Sequence, residues 1–236
     1  MQRYFVKSYE NNLFLLEESD VHHIKKVMRC KNNDKIEIVY NNKVYLCNID
    51  DVESLKLSIV KEYEEDRELS VELNVAIALV QEQKFDMILQ KLTELGVSSI
   101  IPIKTERSIV KIDESKKEKK YARWQMICKE ASEQSHRVTI PKIENIISIK
   151  ELIKNKKEIN LICSLNEFTK PLDEYLDKNI KSILFVIGPE GGFSPKEEEY
   201  LIENGFECTT LGKRVLRVET AAIYVASVIN HIYKGW

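Results

Sequence analysis

The spacing of hydrophobic positions changes near residue 70. Before it, Lys35 to Tyr40, Val44 to Ile49 and Leu55 to Ile59 alternate or run apolar over strand length. Asn41-Asn42 between the first two predicts a hairpin, because asparagine tolerates the left-handed backbone of a tight turn. Val21 to Met28 predicts a short helix capped by Asp20. The stretch Glu62-Tyr63-Glu64-Glu65-Asp66-Arg67-Glu68 is too acidic for a core and predicts a linker. Residues 1–70 therefore read as a small β-barrel domain.

From Val71 the periods of strand and helix alternate. Val71 to Val80 predicts a strand, and Lys84 to Leu95 a helix with Phe85, Ile88, Leu89, Leu92 and Leu95 on one face and Gly96 at its C-terminus. A strand at Val97 to Ile103 precedes a long helix, Lys116 to His136, with Tyr121, Trp124, Ile127, Cys128 and Ala131 as its apolar side. A weak helix at Ile149 to Lys154, a strand at Ile159 to Leu165 and a short helix near Leu172 to Leu176 follow. Ile183 to Ile187 is uniformly apolar, the pattern of a parallel strand covered on both faces. Ser194, Pro195 and Glu197 then spell a capped helix start and Gly205 its end. Glu207 to Leu211 predicts the last strand and Thr220 to Tyr233 the last helix. The alternation makes residues 71–236 an α/β domain on a parallel sheet.

Composition narrows the class without naming it. With 43% hydrophobic and 31% charged residues the chain is ordinary for a folded protein, and a net charge of -2 confines any nucleic-acid surface to a local patch. The five cysteines lack metal-ligand spacing, and the histidines lack it with them or with one another, so neither a metal site nor a disulfide framework is expected. No apolar run approaches membrane-spanning length and Met1 to Val6 does not read as a secretion signal. A cytoplasmic protein with no membrane partner is the expectation.

Chemistry concentrates in two glycine-broken loops near the C-terminus. Gly188-Pro189-Glu190-Gly191-Gly192-Phe193 follows the buried strand, and Leu211-Gly212-Lys213-Arg214-Val215-Leu216-Arg217-Val218-Glu219-Thr220 follows the last one. A glycine loop between strand and helix suggests phosphate. Neither phosphate-loop pattern is present, however, and Glu190 would repel a phosphate. A ligand carrying hydroxyls and positive charge fits better.

Elsewhere, Lys25, Lys26, Arg29 and Lys31 form an unbroken basic cluster. It reads equally as a solvated helix end and as a phosphate-contacting patch, to which Arg3, Tyr4 and Phe5 add the cation-plus-aromatic mixture that RNA surfaces favour. The Lys116 to Lys120 run is a solvated helix start. Glu130, Gln134 and Arg137 share a helix face that serves either an interface, a substrate or only water.

Taken in order, Arg3-Tyr4-Phe5, Lys91-Leu92-Thr93-Glu94-Leu95-Gly96-Val97, Thr105-Glu106-Arg107-Ser108, Glu130-Ala131-Ser132-Glu133-Gln134-Ser135 with Arg137, the Gly188 loop and Leu211-Gly212 through Leu216-Arg217 to Glu219-Thr220-Ala221 form a set. The set, spanning nearly the whole chain, resembles the RsmE-type 16S rRNA uridine-N3 methyltransferases of the SPOUT class. Val218 stands where that family carries a threonine, so no hydroxyl is supplied there.

The resemblance implies a PUA-like barrel over 1–70, a knotted SPOUT α/β domain over 71–236, and a homodimer with active sites at the subunit interface. It also implies S-adenosylmethionine as methyl donor and 16S rRNA, within the small ribosomal subunit, as substrate. By analogy Leu165, Gly188, Glu190, Gly191, Leu211, Gly212 and Leu216 wrap the cofactor. Arg217 stabilises the uracil anion or places the base, and Glu219 accepts the proton or organises Arg217. The plainer alternatives are an Arg217–Glu219 ion pair that orders the loop, and a Glu219 that favours a helix N-terminus. Arg3, Lys25, Lys26, Arg29, Arg107 and Arg137 are the RNA-binding candidates. The rivals are a SPOUT enzyme acting on ribose or tRNA, a non-catalytic RNA-binding or assembly factor, and a nucleotide-phosphate enzyme.

Overall fold

Asn41 and Asn42 take φ values of 49° and 60° and turn the chain between two antiparallel strands, as a two-residue hairpin loop of this composition requires. The computed structural model describes residues 1–10, 13–108, 110, 113–164 and 169–233. It divides into two units, one of Met1–Glu68 with Ser132–Thr139 and one of Leu69–Ala131 with Ile140–Trp236.

The first unit is β-rich. Strands β1 (Arg3–Phe5), β4 (Lys35–Tyr40), β5 (Lys43–Asp51) and β6 (Lys56–Tyr63) form a sheet in the order β1-β4-β5-β6, and β2 (Tyr9–Glu10) pairs with β3 (Leu13–Phe14). Tyr4, Phe14, Ile24, Ile36, Ile38, Cys47 and Ile49 fill its core. The predicted helix here starts earlier, at Glu18, and its second half is π-helical. Helix α1 (Glu18–His22) passes into a π-helical turn, His23–Val27, and Asp20 is buried inside α1 rather than capping it.

A buried ion network holds this unit together. Parallel pairing of β1 with β4 sets Arg3 beside Glu37, and the Arg3 Nε lies 3.0 Å from the Glu37 carboxylate. The same guanidinium donates to Glu65 at 2.8 Å and to the carbonyls of His136 and Arg137 at 2.7 and 3.2 Å. Arg137 in turn pairs with Glu68 at 2.6 Å. Two sequence expectations change as a result. Glu65 and Glu68 are not part of a loose linker, since they anchor this unit through its arginines. Arg3 and Arg137, read from the sequence as RNA-binding residues, are 1% and 4% exposed, with their guanidinium groups engaged inside the unit. Lys26 and Arg29 do remain exposed, while Lys25 donates to the Glu53 carbonyl at 2.5 Å.

The second unit is a parallel sheet covered on both faces. Its strands are β7 (Glu72–Ala78), β8 (Ser99–Lys104), β9 (Lys142–Ile143), β10 (Ile147–Ser148), β11 (Ile159–Cys163), β12 (Lys170–Pro171), β13 (Ser182–Ile187) and β14 (Glu207–Thr210). Their order is β10-β8-β7-β13-β11-β14-β12, with β9 also on β8. Helices α2 (Glu82–Glu94), α3 (Lys117–Gln134, of which the residues up to Ala131 belong to this unit), α4 (Ile149–Leu152), α5 (Pro195–Glu203) and α6 (Val218–Tyr233) complete it. Ile183, Phe185 and Ile187 of β13 pack into one core with residues of α2, α3 and α6, while Leu184 and Val186 pack into a second with residues of α4 and α5. This explains the uniformly apolar run, because in a strand successive side chains point to opposite faces and here both are buried.

Candidate functional site

Strands β13, β11 and β14 are neighbours and all parallel, so Ile187, Cys163 and Thr210 end at the same edge of the sheet. Ligands of open α/β sheets bind beyond this carboxyl edge. Here the segments that follow β13 and β14, with the end of β11 between them, enclose a cleft of about 640 Å³ counted to its open mouth.

Gly188, Pro189, Glu190, Gly192 and Phe193 form one wall, and Leu211, Gly212, Arg214, Val215, Leu216 and Val218 the other, with Cys163 and Ser164 at the base. Local chemistry fixes both walls. Ser194 accepts from the Glu197 amide and Glu197 accepts from the Ser194 amide at 2.9 Å, closing the predicted capping box at the start of α5. The other Glu197 oxygen takes the Glu106 amide at 2.8 Å. A Cβ on Gly188 would lie 3.2 Å from the Phe193 ring, so only glycine packs there without displacing that ring. Gly192 and Gly212 have φ of 67° and 110°, which side chains other than glycine rarely adopt. Thr210 holds the second turn through its hydroxyl, 3.2 Å from the Gly212 amide.

Of the proposed cofactor residues, Gly188, Glu190, Leu211, Gly212 and Leu216 line this cleft. Gly191 lines a neighbouring cavity with Leu79, Val80 and Arg107. Leu165 lies outside the described residues. Glu190 is paired with Lys84 of α2, and the hydrogen bond and charge of Lys84, with Arg217 adding to them, hold its carboxyl below the usual carboxylate range. Sequence reasoning missed Lys84, for nothing local announces a partner 106 residues away. It also passed over Arg214, Val215 and Cys163. Burial pushes the Cys163 thiol up to about 12, so it is a neutral wall of the cleft and no nucleophile.

Arg107, expected at RNA, holds the first loop. One of its terminal nitrogens donates to the carbonyls of Gly191 and Phe193 at 2.8 and 3.0 Å. Arg107→Ala is therefore expected to weaken S-adenosylmethionine binding about tenfold, or ~1.4 kcal/mol, for the loss of two charge-assisted bonds at a partly exposed site. Calorimetry without RNA checks this. Normal cofactor affinity combined with weakened RNA binding would return Arg107 to the RNA surface.

Arg217 is exposed at the rim and makes no ion pair with Glu219 among the described residues. Glu219 sits in the first turn of α6, 9% exposed, and its Oε2 has no hydrogen-bond partner among the described residues. Val218, which supplies no hydroxyl, is 4% exposed, packs into the core and presents an apolar side chain to the cleft. No group of metal-ligating side chains occurs among the described residues, and no described helix is long and apolar enough to cross a membrane.

The donor set suits S-adenosylmethionine. The cleft offers loop backbone for hydroxyls and an adenine edge and an apolar lining, while the Glu190 carboxylate on its wall is paired with Lys84. Residues 67–230 match the RNA methyltransferase domain family and residues 16–62 the RNA methyltransferase PUA domain family, which makes the class that of two-domain RNA methyltransferases. Ribosomal RNA small subunit methyltransferase E of Bacillus subtilis is 34% identical over 248 residues, covering 98% of this chain and 96% of its own. That of Mesomycoplasma hyopneumoniae is 35% identical over 226 residues, covering 95% and 97%. A ribosomal RNA small subunit methyltransferase E from Neisseria gonorrhoeae, solved bound to S-adenosyl methionine, superposes with a TM-score of 0.87 at 31% identity, covering 99% of this chain and 98% of that one. The chain belongs to the ribosomal RNA small subunit methyltransferase E family.

Proposed function

We propose that this protein methylates small-subunit ribosomal RNA with S-adenosylmethionine as donor, and that the methylated atom is N3 of a uridine in 16S rRNA. The observation that carries this reading is the cleft at the carboxyl edge of β13, β11 and β14, with two glycine loops for walls. The family membership supports the RNA.

S-adenosylmethionine supplies an electrophilic methyl group on a sulfonium. The protein's own residues do the remaining work. Glu190 and the backbone of both loops hold the donor, with Leu211 and Leu216 as apolar lining. Arg217 reaches from the rim, with no ion-pair partner among the described residues, and stabilises the negative charge that spreads onto a uracil oxygen once N3 loses its proton. Glu219, whose Oε2 is buried and unpartnered among the described residues, orients the base or accepts that proton. The Watson–Crick edge must be free, so the nucleotide is unpaired or flipped.

The reading includes a knotted path of the α/β chain and a homodimer in the cytoplasm, acting on the small ribosomal subunit. Val215 and Tyr224, 78% and 45% exposed on the loop and helix of the site, are apolar surface that a second subunit would cover. Labelled S-adenosylmethionine, incubated with the protein and either unmethylated small subunits or naked 16S rRNA, is expected to yield labelled 3-methyluridine, preferentially from the subunits. A ribose-methylated product, or label in tRNA alone, would replace this assignment with another SPOUT activity. Failure to bind the cofactor at all would point to a non-catalytic RNA-binding factor.

A further inference from the structure

A second depression, of about 1,020 Å³ counted to its open mouth, lies at the carboxyl edge of β8 and β10. It has no part in the cofactor cleft. Parallel pairing sets Ser148 of β10 opposite Lys104 at the end of β8, which brings Lys150 at the start of α4 to the same place. Lys196, in the first turn of α5, closes the opposite wall. Three lysines distant in sequence are thus gathered by the sheet and two helix starts.

The carboxylates nearby do little to neutralise Lys150 and Lys196. Glu197 is buried, with its two oxygens taken by the Glu106 and Ser194 amides. Glu151 is held by the amide and hydroxyl of Ser148, each at 2.8 Å, although it does feel the charge of Lys104. Glu106 is the exposed acid among the residues lining the depression. Lys150 and Lys196 are exposed and have no ion-pair partner among the described residues. Half-buried Tyr200 adds an aromatic ring to the wall.

We infer that this depression binds the sugar–phosphate backbone of the RNA strand flanking the methylated nucleotide. The inference rests on the rRNA reading above. Three features favour a backbone over a small ligand. The depression is wide and open, its cations are flexible point charges of the kind that meet phosphates one at a time, and it shares an edge of the sheet with the cofactor cleft. The two are also mechanically joined. The segment Glu106-Arg107 lines the depression at one residue and ties the cofactor loop with the next. With Arg3 and Arg137 buried, these lysines also supply exposed cations that those two arginines do not.

The test compares the wild type with the triple variant Lys104→Gln/Lys150→Gln/Lys196→Gln on naked 16S rRNA across a salt series. The expected result is a slope of log affinity against log salt shallower by about 2 to 3, at roughly 0.7–0.9 for each phosphate no longer neutralised. A raised KM for RNA should accompany it, with kcat, cofactor affinity and thermal midpoint unchanged. Lys116→Gln/Lys119→Gln, on the solvated start of α3, is expected to leave the slope unaltered. A triple variant with wild-type slope, in a protein that still methylates rRNA, would overturn the inference alone. A wild-type protein that neither binds nor methylates rRNA would overturn it together with the functional reading, so the two failures are told apart.

Discussion

Arg217→Ala is expected to lower the rate constant for methyl transfer by about 10²–10³-fold, the magnitude seen when one donor to a developing anion is removed. Cofactor affinity should barely change, because Arg217 does not line the cleft that Glu190, Gly212 and Leu216 enclose. The split between kcat and cofactor binding is what matters. If Arg217 only ordered its loop, its loss would loosen the Leu211–Leu216 wall and raise the dissociation constant for S-adenosylmethionine first. The absence of an Arg217–Glu219 ion pair among the described residues already removes the most direct means of such ordering. Lysine at 217 should restore part of the rate, since it keeps the charge and loses the planar fork. Single-turnover methylation of RNA, alongside calorimetry of the cofactor, makes the comparison. Wild-type turnover in Arg217→Ala would take this residue out of the mechanism.

Arg3→Ala is expected to cost about 3–5 kcal/mol of stability, the usual penalty for removing one partner of a buried ion pair. Arg3 has no exposed side-chain surface and neutralises Glu37 and Glu65, themselves only 11% and 15% exposed at the side chain. The same network sets an acid limit. Burial alone would raise the Glu37 carboxyl, but hydrogen bonds from Tyr63 and Arg3 and the charges of Arg3 and His136 outweigh it and hold it below the usual range. Glu65 behaves likewise, with burial opposed by Arg67 and Arg3. Both pKa values are lowered in the folded state. Their contribution is therefore complete above the ordinary carboxylate range, about pH 4, and is lost as pH falls through the folded-state values. Denaturant titrations between neutral pH and about pH 3 should show wild-type stability falling with acid and the Arg3→Ala curve starting lower and falling less. Equal stability of the two proteins at neutral pH would refute the account, and weakened RNA binding without lost stability would restore Arg3 to the RNA surface.

Most of the α/β unit was legible because its signals are local. The apolar run of β13, the capping residues Ser194, Pro195 and Glu197, and Gly205 each act within a few residues, and the structure places them as read. The glycine loops were legible for the same reason. What escaped depends on distance along the chain. No pattern near Arg3 reveals that its partners are Glu37, Glu65 and the carbonyls of residues 136 and 137, so a buried cation passed for an exposed one. The Lys84–Glu190 pair and the Arg107 hydrogen bonds are long-range in the same sense. Asp20 failed differently, because a good capping residue by type lies within α1 once that helix starts at Glu18.

The inclusion of Ser132–Thr139 in the first unit bears on how the protein is made. A nascent chain released only as far as Glu68 contains Arg3, Glu37 and Glu65 but lacks the His136 and Arg137 carbonyls that complete the Arg3 shell. The first hydrogen bond of that shell to Ser132–Thr139 spans 133 residues, so it can form only after residue 136 has been made. A recombinant fragment ending at Glu68 would stop where the ribosome passes through, with a buried guanidinium still waiting for two of its acceptors.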